Sequence, residues 1–335
     1  MFSKLGAKFR PEVENDVLIG RNGTLFIHQG GHKLYDQAQG KRPLKPLERD
    51  AFARNLEERR AYCDERRVRY AHLLSPDKQV VMAEDHPVRN LYSIGAAVRE
   101  ELDTPFIWPA PYLGREDYFV TDSHWNTIGQ LKVAEAFLCE IGLAEHAPTV
   151  GGWREELVER SYNGDLGLKL KPARSEMASF MPPNHATTQY HNGLEPAGNE
   201  GTVRAVVNSD PLVRQTLLVF GTSSTQIMLP ILGRIFEVTV HCRARFMHRE
   251  IVDMVRPDVV LTQNQERYFW ETRSDKNALP FFMIPHVVGR VPKYSDKALE
   301  VLGAIFTHGS LRHDAMMRMI RNGKVPGANL KRIQP

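Results

Sequence analysis

The sequence predicts an α/β fold with a parallel central sheet, and its C-terminal part carries the clearest evidence. Residues 217–220 form a short, fully apolar run that is typical of a strand buried on both faces. Strand-like segments follow at 238–242 and 258–262, and a helical segment at 248–255 separates them. Because strands that alternate with helices usually pair in parallel, these segments predict one sheet with helices on both faces.

The N-terminal part begins with a predicted hairpin at residues 17–28. Its two apolar arms flank Asn22 and Gly23, a dipeptide that strongly favours a tight turn. The next predicted elements are helices at 46–66 and 88–102, a short strand at 68–74, and a Pro- and aromatic-rich connection at 105–111.

The strongest helical pattern covers residues 127–141. Apolar side chains recur there at spacings of three and four, and Gly142 suits the C-terminal cap. The predicted inner face consists of Ile128, Leu131, Ala134, Phe137, Leu138 and Ile141.

Residues 147–215 interrupt this rhythm, because Gly, Pro, Asn and short polar runs dominate there. We expect an irregular, β-rich insertion, a kind of segment that often builds the wall of a substrate site. A further helix is predicted at 294–306, and residues 307–335 are basic and poorly patterned. The sequence therefore predicts a single domain over residues 1–306 with a basic C-terminal tail.

The bulk properties exclude some classes of protein. A formal net charge of +4 on 335 residues gives no support to nucleic-acid binding. No apolar run approaches the ~18 residues that a membrane span needs, so no stable membrane insertion is expected. The N-terminus has no apolar core of a signal peptide, which predicts a cytoplasmic location.

The cysteines and the loop histidines give no sign of a metal or other cofactor. The cysteines lack a CxxC spacing, which predicts free thiols, buried or half-buried, in a reducing compartment. The residues concerned are Cys63, Cys139, Cys242, His28, His32, His185 and His191.

Asp122 and His124 form the most informative motif of the chain. They lie two residues apart, where an apolar stretch leads into the 127–141 helix. In an extended segment, such positions point the same way, so the carboxylate could orient the imidazole of a general base. The alternative is that Asp122 or Asn126 only caps the helix and His124 lies at the surface.

Ser223 is the best candidate for a nucleophile. It follows the buried 217–220 strand in a turn led by Gly221, which predicts a position at the carboxyl edge of the sheet, where ligands bind. The amides of Ser223 and Ser224 could then serve as an oxyanion hole. The alternative is that Ser223 only caps a helix.

Three further residues are weaker candidates. Arg267 could bind an acidic sugar or form a salt bridge with its neighbours. Asp165 could line the site or cap a turn. Trp125 could offer an aromatic face to a carbohydrate or belong to the core.

Several of these segments, in chain order, resemble the alginate O-acetyltransferase family, the AlgX/AlgJ group of SGNH-hydrolase-like proteins. The specific part is the run from Thr121 to Asn126, which resembles the T-D-x-H-W-N motif of the family. Weaker similarities cover residues 19–26, 75–78, 162–167, 221–223, 256–260 and 266–268.

The resemblance implies a flavodoxin-like, three-layer SGNH fold in which Ser223 is the nucleophile, His124 the base and Asp122 the orienting acid. Thr222 stands where common SGNH esterases have Asp, which puts in question a contribution of that side chain to the oxyanion hole. The periplasm is the alternative location, because the alginate proteins work there.

The implied function is a serine-dependent O-acetyltransferase that acts on a saccharide through an acetyl-serine intermediate. It would need an acetyl donor and a saccharide or polysaccharide acceptor, with a biosynthetic complex as a possible setting. The alternatives are a carbohydrate acetyl-esterase with the same triad and a non-catalytic protein that binds a saccharide or a partner.

Overall fold

The computed structural model describes residues 12–194 and 200–306, and a mixed six-stranded sheet forms its centre. Four neighbouring strands are parallel, and each of the last two strands pairs antiparallel with the strand before it. The spatial order is β4 (Arg69–Ser75), β11 (Val259–Gln265), β9 (Val213–Gly221), β10 (Phe236–Arg243), β8 (Val203–Asn208) and β7 (Thr187–His191).

The α/β class is therefore confirmed, and the central sheet, which was predicted to be parallel, is mostly parallel. Strand β8 is joined to β9 by only residues 209–212. A parallel crossover needs a dozen or more residues, so β8 has to enter the sheet in the opposite direction.

Two small antiparallel sheets accompany the central one. The first contains β1 (Glu12–Glu14), β2 (Val17–Ile19) and β3 (Leu25–Ile27), and it confirms the predicted hairpin. The second pairs β5 (Val158–Tyr162) with β6 (Glu176–Phe180).

The helices lie mostly where the apolar periodicity predicted them. One exception is α4, which begins at Ile94 behind the capping hydroxyl of Ser93 instead of at residue 88. The helices are α1 (Leu34–Ala38), α2 (Pro46–Asp64), α3 (Lys78–Val81), α4 (Ile94–Glu101), α5 (Thr127–Glu140), α6 (Ala147–Gly152), α7 (Ser223–Gln226), α8 (Leu229–Ile235), α9 (Arg249–Val255), α10 (Ile284–Val287) and α11 (Asp296–Ile305).

Alternate side chains of β9 pack in two separate hydrophobic cores. Leu217 and Val219 pack in a cluster with apolar residues of α5 and α8. Leu218 and Phe220 pack in a second cluster with residues of α9 and α11. Because successive side chains of a strand point to opposite faces, helices cover both faces of the sheet.

The segment 147–215 is less irregular than its composition suggested. Strands β7 and β8 and the start of β9 lie within it and belong to the central sheet. Only β5 and β6 form a sheet of their own. The basic tail at 307–335 lies outside the described residues.

The prediction of buried or half-buried cysteines is confirmed for two of the three residues and wrong for Cys139. Cys63 and Cys242 are buried, but Cys139 is exposed on α5, where it lies off the apolar face of the helix. None of the helices within the described ranges combines the length and apolar character that a bilayer span requires.

Candidate active site

The side chains of Asp122, His124 and Ser223 form one continuous hydrogen-bonded chain. Asp122 Oδ1 lies 2.6 Å from His124 Nδ1, and His124 Nε2 lies 2.8 Å from Ser223 Oγ. These are the contacts between acid, base and nucleophile that define a Ser-His-Asp triad. Ser223 is half-buried, so its hydroxyl remains within reach of a ligand.

The carboxylate of Asp122 is buried and fully engaged. Its Oδ1 also accepts the amide of His124 at 2.9 Å, while Oδ2 accepts the hydroxyl of Tyr162 at 2.7 Å and the amide of Asp165 at 2.9 Å. Burial raises the pKa of Asp122, but its bonds to His124, Asp165 and Tyr162 more than offset this and hold the pKa well below its usual value. Asp122 is therefore a stable anion that can orient the imidazole.

The helix-cap alternative for Asp122 fails because another residue occupies the cap. Asn126 accepts hydrogen bonds from the amides of Ile128 and Gly129 and so caps α5. Asp122 is left free to hold His124 from the loop that precedes the helix.

The turn that carries Ser223 starts directly at the end of β9. Here too the cap is another residue, since the hydroxyl of Thr222 accepts the amide of Ser224 at 3.4 Å. Position 221 has no room for a side chain, because a Cβ atom on Gly221 would lie 2.1 Å from Thr225 Oγ1. The tight turn presents the Ser223 hydroxyl beyond the carboxyl edge of the sheet.

Two glutamines of β11 accept hydrogen bonds from this turn. Gln263 Oε1 accepts the amide and the hydroxyl of Thr222 at 2.8 and 2.9 Å. Gln265 Oε1 accepts the hydroxyl of Ser224 at 2.6 Å. The two glutamines thus fix the residues on either side of Ser223.

Three of the predicted substrate contacts have structural roles instead. Trp125 is 2% exposed and donates its indole N–H to the carbonyl of Ser224 at 3.3 Å, so it packs beneath the nucleophile. Arg267 forms a buried ion pair with Asp77 at 2.6 Å, which is the salt-bridge alternative. Asp165 is exposed, but both its carboxylate oxygens accept bonds from Ser123, so it caps the turn next to His124.

Thr222 and Ser224 have buried side chains whose hydroxyls are taken by the two glutamines. Their side chains are therefore poor substrate ligands. The backbone at this turn remains the candidate for oxyanion binding, since the first amides of a helix have no partner within the helix.

Sequence reasoning missed Tyr162, Gln263 and Gln265. The glutamines left a signal, because polar residues at alternating positions of a buried strand need partners inside the fold. Tyr162 left none, since its contact with Asp122 spans 40 residues.

Among the described residues, Asp122, His124 and Asp165 are close enough to hold a metal ion, with ligand atoms within 4.8 Å of one another. The triad and turn hydrogen bonds already use these atoms. We therefore interpret these three residues as members of the hydrogen-bonded triad and turn, and not as a metal site.

Two cavities lie beside the triad. The first, of about 150 Å³, contains Asp122 and His124, and its other walls are mostly aromatic and apolar. We call it the His124 cavity; its further lining residues include Phe119, Arg160, Tyr162, Phe180, Met181 and Ile227.

The second cavity, of about 250 Å³, lies on the other side of the nucleophile turn and includes Gly221 and Thr222. Most of its lining residues are polar or charged, and its two arginines have hydrogen-bond partners. Arg245 contacts Glu200 and Glu271, and Arg243 donates to Gln226 at 2.8 Å. We call it the Arg245 cavity.

The fold and the hydrogen-bonded side chains of Asp122, His124 and Ser223 together define an α/β protein with a candidate active site at the carboxyl edge of its sheet. No family model matches the sequence. No curated protein matches it either.

Solved structures, however, share the fold. A DHHW family protein from Eubacterium siraeum has a TM-score of 0.56 at 13% identity, covering 81% of this chain and 98% of that one. PatB1 from Bacillus cereus, with a sulfonyl adduct, has a TM-score of 0.50 at 12% identity, covering 69% and 94%. At these identities, the likeness shows the fold alone.

The group that the sequence motifs resemble is also among the matching structures. The O-acetyltransferase domain of AlgJ from Pseudomonas putida has a TM-score of 0.45 at 14% identity, covering 82% of this chain and 98% of that one.

Proposed function

We propose that the protein is a serine-dependent O-acetyltransferase of SGNH-hydrolase type that acetylates a saccharide. The observation that carries this proposal is the hydrogen-bonded chain from Asp122 through His124 to Ser223. The resemblance of residues 121–126 to the motif of the alginate O-acetyltransferase family supports acetyl transfer as the reaction of such a triad.

In the first half-reaction, His124 Nε2 takes the proton of Ser223 Oγ while that oxygen attacks the carbonyl carbon of the acetyl donor. The new C–O bond turns the carbonyl oxygen into an oxyanion. Asp122 stabilises the imidazolium that forms. When the intermediate collapses, the bond to the donor oxygen breaks and His124 gives its proton to the departing alkoxide.

In the second half-reaction, His124 takes a proton from the acceptor hydroxyl, which attacks the acetyl-Ser223 ester. Collapse releases the acetylated acceptor and returns the proton to Ser223. The amide of Ser223 is the proposed donor to the oxyanion, because the amide of Ser224 already donates to the hydroxyl of Thr222. One such donor contributes ~2.7–4 kcal/mol in other enzymes.

The proton transfers indicate where the acceptor binds. The departing alcohol and the attacking alcohol both exchange a proton with His124 Nε2, so both must reach the same edge of the ring. The His124 cavity is the one that includes this residue. Its aromatic side chains, Phe119, Tyr162 and Phe180, suit the apolar faces of a sugar ring.

A carbohydrate acetyl-esterase is the second candidate, because it would use every one of these residues. The difference lies in whether water or a sugar hydroxyl attacks the acetyl-enzyme. The half-buried Ser223 hydroxyl leaves water a route to the ester.

The experiment is the turnover of a small acetyl ester with and without oligosaccharides, with acetylated sugar and free acetate measured together. We expect Ser223→Ala to abolish both products. The control is Ser209→Ala, which changes an exposed serine. Acetylated sugar identifies a transferase and acetate alone an esterase. Full turnover by Ser223→Ala would reject both mechanisms, because another residue would then carry the chemistry. No turnover by the wild-type protein would favour a binding protein without catalysis.

A further inference from the structure

Lys78 is a buried lysine whose ammonium group holds the backbone of the catalytic loop. Its Nζ donates to the carbonyl oxygens of Leu25 at 2.7 Å, Val120 at 2.9 Å and Asp122 at 2.9 Å. An ammonium group has three N–H donors, so these three carbonyls use all of them. Lys78 thereby ties the loop that carries Asp122 to the β2–β3 hairpin.

Glu176 of β6 holds the same loop through its amides. Its two carboxylate oxygens accept the amide of Val120 at 2.9 Å and the amide and hydroxyl of Thr121, both at 2.6 Å. The peptides before Asp122 are therefore fixed by an anion at their N–H groups and by a cation at their carbonyls. Charge-assisted hydrogen bonds of this kind are roughly twice as strong as neutral ones.

We propose that Lys78 is a positioning residue of the triad, and that it fulfils this role only as the ammonium ion. It acts through Asp122, whose carbonyl it binds and whose carboxylate orients His124. A neutral amine has two donors and one lone pair, so it would turn that lone pair towards one of the three carbonyls. The inference rests on the proposed function for its effect on catalysis.

The surroundings of Lys78 make this protonation sensitive to pH. Burial lowers the pKa of Lys78 to about 7, although the carboxylates that face it favour the charged form. These carboxylates are Asp122, Glu176, Asp165 and Asp85. The ring of Phe26, 5.4 Å from Nζ, is the apolar side of the site.

The sign of the pH effect follows from this lowered pKa. Above pH ~7 the folded protein loses the proton, while the unfolded chain keeps it up to the ordinary value for lysine. The contribution of Lys78 to global stability therefore rises with pH in this window. The order of the catalytic loop falls over the same pH window. Global stability and loop order therefore change in opposite directions, which would not be the case if Lys78 only stabilised the fold.

The test is hydrogen exchange of the amides of residues 118–126 between about pH 6 and pH 9, corrected for the intrinsic exchange rates. Fluorophosphonate labelling of Ser223 is measured at the same pH values. We expect protection and labelling of the wild-type protein to fall together by about tenfold, as for the loss of one hydrogen bond to a charged group. Constant protection of the wild-type loop across this range would overturn the inference.

Two variants and a control sharpen the result. Lys78→Met should give low protection at every pH, whereas Lys297→Met, which removes an exposed ion pair with Glu300, should keep the wild-type profile. Glu176→Gln removes a carboxylate that favours the ammonium form, so the midpoint should move to lower pH. An unmoved midpoint would contradict the proposal even if Lys78→Met does not fold.

The two proposals fail in different ways. If Ser223 takes no label in any variant, the proposed function is wrong, but the exchange data still decide the role of Lys78. If Ser223 reacts and loop protection ignores pH, the function stands and the role of Lys78 is rejected.

Discussion

His124 Nε2 lies 2.8 Å from Ser223 Oγ, although 99 residues separate the two positions in the chain. His124 comes from the loop before α5, and Ser223 from the turn after β9. The contact therefore depends on the packing of two elements against the sheet. Changes that disturb either element without touching the triad should lower activity.

Tyr162→Phe removes the hydroxyl that donates to Asp122 and leaves the ring that packs 4.7 Å from Phe119. We expect a loss of about tenfold in kcat/KM, since a hydrogen bond to a charged group contributes ~1.5–3 kcal/mol. The bond lowers the pKa of Asp122, so its removal should move the acidic limb of the pH profile to higher pH. An unchanged limb, matching the exposed control Tyr112→Phe, would contradict this role.

Gly221→Ala should displace the nucleophile. The new Cβ atom would meet Thr225 Oγ1 at 2.1 Å and Gln263 Oε1 at 3.2 Å, so the turn has to shift. A misplacement of about 1 Å can cost ~10²-fold in rate, which is the loss that we expect in labelling of Ser223. Gly31→Ala is the control, because nothing lies within 4 Å of its Cβ position. Equal labelling of the two variants would show that the turn tolerates the added methyl group.

Phe180→Ala should weaken binding of the acceptor and leave the nucleophile intact. The ring lines the His124 cavity and lies 4.0 Å from the guanidinium of Arg160. We expect the KM for the saccharide to rise about tenfold, while labelling of Ser223 by a small fluorophosphonate stays at the wild-type rate. The acceptor would have to bind elsewhere if the KM stayed constant.

Glu266 should make the fold less stable as the pH rises towards neutrality. Burial raises the pKa of Glu266 to about 7, and the neighbouring Asp77 adds to this. The folded protein then holds a proton that the unfolded chain releases above its ordinary, lower pKa, so stability falls as pH rises between these values. In Glu266→Gln, the denaturant midpoint should change less between about pH 5 and pH 8 than in the wild type or in the exposed control Glu237→Gln. Equal slopes in all three proteins would refute the assignment to Glu266.

Local patterns predicted much of this structure. Apolar periodicity located α5, the run 217–220 located β9, and Asn22-Gly23 located the hairpin. The direction of β8 was not predicted, because it depends on the order in which strands join the sheet. The exposure of Cys139 was predictable, because the residue lies off the apolar face that the periodicity of α5 defines.

The candidate site divides in the same way. Asp122, His124 and Ser223 could be predicted, since their chemistry and their places at the ends of elements are visible in the sequence. The support of the site depends on long-range packing, so Tyr162 and Lys78 were missed. Trp125 was misjudged for the same reason, because only the packing shows that its ring lies under the nucleophile.

The most direct test of the central claim is peptide mass spectrometry of the protein quenched during a single turnover of an acetyl ester. We predict an acetyl group on Ser223 in the wild type, and its loss in Ser223→Ala and His124→Ala, each folded as the wild type is. A protein that transfers acetyl groups at the wild-type rate with Ser223 unmodified, or that acetylates Ser223 equally fast without His124, would contradict the account.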